Sequence, residues 1–63
     1  MPESYKHFHH LSMIQKHVLL IHFGEYISTI DLLDTRVKLY ILDNFFVEVF
    51  LNKHNENVEL IKF

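Results

Sequence analysis

Val37-Lys38-Leu39-Tyr40-Ile41-Leu42-Asp43-Asn44-Phe45-Phe46-Val47-Glu48-Val49-Phe50-Leu51-Asn52 reads as two amphipathic strands and the bend between them. Val37, Leu39 and Ile41 alternate with Arg36, Lys38 and Tyr40, and Val47, Val49 and Leu51 alternate with Phe46, Glu48, Phe50 and Asn52. A period of two is the signature of a strand with one buried face. The bend at Asp43-Asn44 allows two registers. A two-residue loop pairs Leu42 with Phe45 and sets Lys38 opposite Val49 and Glu48 opposite Leu39, mixing charge into the apolar face. A three-residue loop of Asp43, Asn44 and Phe45 pairs Ile41 with Val47, Leu39 with Val49 and Val37 with Leu51, giving one uniformly aliphatic face. On that ground the three-residue loop is expected, with Asn44 at a left-handed turn position. Leu39, Ile41, Val47 and Val49 are then the core.

Upstream, Ser12 followed three residues later by Gln15 has the form of a capping box, predicting a helix that starts at Met13. Ile14, Val18 and Ile21 recur at helical spacing, and Gly24 stands where a left-handed C-cap is wanted, so the helix ends near Phe23. The competing reading makes Val18 to Phe23 a buried strand. Tyr26 to Leu33 reads as a strand with Tyr26, Ile30 and Leu32 on one side, followed by a turn at Asp34-Thr35. Beyond the hairpin, Lys53 to Asn57 is a polar loop and Val58 to Phe63 a last strand. That strand is central in the sheet, or pairs with a partner, or belongs to a longer protein. Residues 1–11 show no sustained period and are expected to form an irregular arm. The expectation is a single small α+β domain over residues 1–63, with one short helix on a three- to four-stranded antiparallel meander.

Sixty-three residues, 49% of them hydrophobic, leave room for one core that is marginal alone. The chain has no cysteine, which removes disulfides, thiolate zinc sites and thiol nucleophiles. The longest apolar run, Val18 to Ile21, falls far short of the roughly 20 residues that cross a bilayer. The first residues lack the basic and apolar regions of a secretory signal, so a cytoplasmic protein without membrane contact is expected. Six histidines stand out, and His7, His9 and His10 could offer two imidazoles on one side of an extended segment to zinc or nickel. Without recognised ligand spacing, exposed histidines on an arm are the stronger reading. His17 and His22 lie about 140° apart around a helix and cannot share an ion. Asp31, Asp34 and Asp43 fall at turns, Ser12 caps a helix, and a single glycine cannot build a phosphate loop. Neither a cofactor nor enzyme activity is expected.

In the three-residue-loop register, Tyr40, Phe46 and Phe50 flanked by Arg36 and Lys38 occupy the second sheet face. Aromatic rings and bases on a sheet are the material of a single-stranded RNA platform. A net charge of −2 and Glu48 among the rings weigh against nucleic acid. An apolar face left in water points instead to a protein partner, first of all a second copy of the chain as a homo-oligomer.

The stretch from Val37 to Asn52 also resembles a hairpin of small bacterial TumE-like toxin–antitoxin proteins, whose second strand runs apolar-acid-apolar after an Asp-Gly or Asp-Asn turn. It covers about a quarter of the chain. The later Trp- and His-bearing segment of such proteins is missing, so no active residue carries over. The resemblance implies a small cytoplasmic bacterial protein acting in a complex or regulatory pair.

Overall fold

The computed structural model describes residues 3–63. It is an α+β fold in which two helices, α1 (Glu3–His10) and α2 (Met13–Phe23), precede four strands, β1 (Glu25–Asp31), β2 (Thr35–Leu42), β3 (Phe45–Asn52) and β4 (Val58–Lys62). The strands form one antiparallel meander in chain order. β4 is therefore an edge strand rather than a central one.

α2 has the bounds expected from its capping signals. The Ser12 hydroxyl accepts from the Gln15 N–H at 3.1 Å, and the Gln15 side-chain oxygen accepts from the Ser12 N–H at 3.0 Å. Its other end is made differently from the expectation. Gly24 is extended, not left-handed, and its N–H donates to the Leu20 carbonyl at 2.8 Å. Glycine is needed for close approach, since a Cβ at this position would lie 2.6 Å from the Leu20 oxygen.

Residues 3–10, expected to be irregular, are helical, while the first two residues of that arm lie outside the described residues. An eight-residue helix is too short to hold itself in water. Tertiary contact supplies what propensity cannot: Phe8 is fully buried, edge-on to Phe63 at 4.8 Å and Phe45 at 5.7 Å, and Tyr5 meets the same two rings at 5.3 Å. Tyr5 and Phe8 are three residues apart and so share a helix face.

The hairpin adopts the two-residue loop. Leu42 pairs with Phe45, Tyr40 with Val47, Lys38 with Val49 and Leu39 with Glu48, with Asp43, not Asn44, at positive φ (55°). This corrects the predicted register and redistributes the two faces. Tyr40, Leu42, Val47, Val49 and Leu51 pack with Phe8 and Leu20 as the core, whereas Leu39 and Ile41 turn to the other side of the sheet. Val47 and Val49 are core residues as expected; Leu39 and Ile41 are not. The charge that argued against this register is accommodated without burial. Lys38 is only half-buried, where its stem can cover apolar surface while the ammonium stays wet. Glu48 is exposed directly opposite Lys62 of β4.

A bulge between Tyr26 and Ser28 shifts the phase of β1. Tyr26 consequently joins Thr29 on the helix side, where their hydroxyls share a hydrogen bond and the Tyr26 ring meets Tyr40 at 5.8 Å. Ile30 pairs with Val37 on the opposite face, so Tyr26 and Ile30 do not share a side as predicted. Leu32 and Leu33, expected within the strand, form the connection to β2, with the Leu32 N–H donating to the Thr35 carbonyl at 2.8 Å. At this end of the sheet the 53–57 loop is tied to the β1–β2 connection. The Asn52 side-chain oxygen accepts from the N–H groups of His54 and Asn55, Lys53 Nζ donates to the Leu32 carbonyl, and His54 Nε2 lies 3.2 Å from Asp34 Oδ1.

Candidate functional site

The five residues predicted to form one contact surface are divided between two faces. Tyr40 is 9% exposed within the core, and burial, followed by the nearby Tyr26 hydroxyl, pushes its phenol above the ordinary value. Arg36 and Lys38 share that helix-side face by the alternation of β2. Arg36 Nε donates to Asp31 Oδ1 at 2.8 Å, which holds the Asp31 carboxyl below the usual carboxylate range. Lys38 lies near His17, and burial first, then this ammonium, lowers the His17 pKa. Phe46 and Phe50 face the other way, Phe46 being 60% exposed. The combined aromatic and basic platform on which an RNA reading depended is thus not assembled.

What the register does assemble is an aliphatic and aromatic open face. Cross-strand partners Ile30, Val37, Phe50 and Leu60 make a row that runs through all four strands. A second row, Ser28, Leu39, Glu48 and Lys62, lies beside it, and then Ile41 with Phe46. The face is therefore apolar along the first row and at Leu39, Ile41 and Phe46, with Glu48 and Lys62 in the second row and Glu25 beside Ile41 at the edge of the third. Lys62 leans over the Phe50 ring, its Nζ 5.5 Å from the centroid, so its charge sits at the margin of the apolar row. Within the row Val37 is buried with no helix above it, shielded by its neighbours, while Ile30 and Leu60 remain exposed. Both helices pack on the opposite side through Phe8 and Leu20. The sequence reading set Ile30 beside Tyr26 and put Val37, Leu39 and Ile41 on the core side, and gave Leu60 no facing; the signal for this face was the apolar content of both sides of β2.

The histidines do not form the ligand pair that an extended segment would give. On helix α1, His7 borders a groove against α2, while His9 and His10 lie edge to face with ring centroids 5.6 Å apart. Among the described residues no group of three or more His, Cys, Asp or Glu could hold a metal ion. Asp31, Asp34 and Asp43 stand at strand ends and turns, where they were expected. No helix among the described residues is long and apolar enough to cross a membrane. Comparison of the chain with known protein families, curated proteins and solved structures finds no match.

Proposed function

We propose that the protein is a small non-enzymatic assembly domain that joins a second copy of itself through the open face of its sheet. The observation that carries this reading is the unbroken apolar row Ile30, Val37, Phe50 and Leu60, continued by Leu39, Ile41 and Phe46. Contiguous apolar surface of this kind is costly to leave in water and marks an interface. A sheet of four short strands gains a second layer when another sheet packs face to face about 10 Å away. The face also carries two acids, Glu25 and Glu48, and one base, Lys62, and in an isologous contact the Lys62 of each copy can meet a carboxylate of the other. The small size of the chain adds to the case, because one core of this size is marginal and a shared interface supplements it.

The test is the solution mass of the wild type and of Phe50→Glu and Phe46→Glu, measured by light scattering after gel filtration. The wild type is expected to be a dimer and both variants monomers that keep the wild-type circular dichroism. A wild-type monomer, or dimers in both variants, would overturn the reading. The exposed edge of β1 offers a second route, because all seven of its residues are exposed. Edge pairing is identified by dimers that survive both phenylalanine substitutions and dissociate when Thr29→Pro removes a strand donor.

A further inference from the structure

β1 is the barest element of the molecule. All seven of its residues are exposed, so neither face of the strand is covered, and it stands at the end of the sheet with β2 as its neighbour. Besides the open sheet face, exposed large apolar side chains gather in two places. One is the outward stripe of α2, Ile14, Val18 and Ile21; the other is the segment from Tyr26 to Leu33, where Tyr26, Ile27, Ile30, Leu32 and Leu33 are all exposed, Leu33 at 89%. The helix satisfies its own backbone. The strand edge does not, and leaves a row of N–H and C=O groups whose complement is another extended chain.

The two edges of the sheet differ in their protection. β4 is short, carries Glu59 and Lys62, and folds Lys62 over the Phe50 ring. β1 is longer and has neither lysine nor proline; its bulge lies between Tyr26 and Ser28 and leaves Ser28 to Asp31 in regular register. Charge then distinguishes the strands that could pair with it. Glu25 and Asp31 stand at the two ends of β1 with no base between them. Two copies paired antiparallel along the whole strand, about Ser28, would set Glu25 of each against Asp31 of the other, like charge opposite like charge. Asp31 is already held by Arg36 at 2.8 Å, whereas Glu25 has no ion pair among the described residues. An antiparallel strand laid on this edge ends beside Glu25, and its side chains on the open face lie next to Ile30, at the end of the apolar row through Val37, Phe50 and Leu60. We propose that the free edge of β1 takes an extended segment of another protein as a fifth, antiparallel strand, apolar where it continues the Ile30 row and basic near its C-terminal end, beside Glu25.

The test uses a short peptide of alternating valine and threonine with two lysines at its C-terminal end, and a twin with two glutamates there. Each is titrated into the isotope-labelled protein and followed by amide NMR. Binding should slow hydrogen exchange at the β1 amides directed to the free edge and leave the amides of β4 unchanged. The lysine peptide is expected to bind about threefold tighter than its twin at low salt, a preference that added salt reduces and Glu25→Gln removes. N-methylation of alternate residues gives two further lysine peptides, each blocked on one set of amides. One should bind as the parent does and the other about tenfold more weakly, because only one set of N–H groups faces the edge. Absence of binding, equal affinity of the two charged peptides, or equal affinity of the two methylated ones would overturn the proposal. So would β1 amides already protected without peptide, or a fall in solution mass on adding it, either of which would give the edge to a second copy. The outcome is separable from that of the sheet-face dimer, since Phe50→Glu is expected to bind the lysine peptide as the wild type does. Loss of binding in that variant would place the peptide on the sheet face and equally overturn the proposal.

Discussion

Gly24 and His17 show how much single positions on α2 carry. At Gly24 the chain leaves the helix with its N–H still bonded to Leu20, and the space for a side chain is closed by that same carbonyl. Gly24→Ala must push the helix end away from β1, and a cost of about 1–3 kcal/mol is expected, as for other forced insertions into a packed site. Thermal unfolding followed by circular dichroism reads this as a fall of several degrees, and an unchanged midpoint would show that the exit is slack. His17 is held below its ordinary value of 6.5, chiefly by burial and then by the Lys38 ammonium. The folded chain consequently binds fewer protons at this site than the unfolded chain as pH falls through 6.5. Stability should decline from there until the folded-state value is passed. His17→Gln removes this titration, so the loss of urea resistance between pH 7.5 and pH 5 should shrink in the variant. A loss as large as in the wild type would assign the decline to other groups.

At the scale of the element, what could be read from the sequence was what is determined locally. The start of α2 followed from Ser12 and Gln15, whose reciprocal bonds span three residues, and Gly24 marked its end even though the conformation there is extended. The four-strand meander followed from alternation and turn residues. The phase of the hairpin did not, because β2 and β3 are apolar on both sides and alternation alone fits either register. The choice depends on Asp43 accepting positive φ and on which side chains meet Phe8 and Leu20. That choice misplaced Tyr40, Leu39 and Ile41, and with them the candidate surface. α1 escaped notice for a related reason: its anchors, Phe45 and Phe63, are distant in sequence, and no capping or periodic signal stands in for them. α1 should therefore depend on one side chain. Phe8→Ala should cost about 3–5 kcal/mol, enough to unfold much of a domain of this size. Ile14→Ala, on the exposed stripe, should stay within about 0.5 kcal/mol. Similar losses in the two variants, measured by urea titration, would contradict the assignment of faces.

Across the whole molecule the layers explain why a chain with a single core displays so much apolar surface. Helices and sheet bury one face of each against the other, and the outer face of each layer remains apolar: Ile14, Val18 and Ile21 above, and the row from Ile30 to Leu60 below. The two surfaces differ in charge. The sheet face carries Glu25, Glu48 and Lys62, while the helical stripe of Ile14, Val18 and Ile21 has no charged residue of its own. Assembly of two copies back to back through their sheets would leave both helical grooves open at the outside. The central claim is thus that the sheet face, and not the helical stripe, is where two copies meet. The most direct measurement is isotope-filtered NMR on a mixture of labelled and unlabelled chains, which detects only contacts between different copies. Contacts are expected from the methyl groups of Ile30, Val37, Leu39, Ile41 and Leu60 to the partner's aromatic protons; contacts confined to Ile14, Val18 and Ile21, or none at all, would refute the sheet-face dimer.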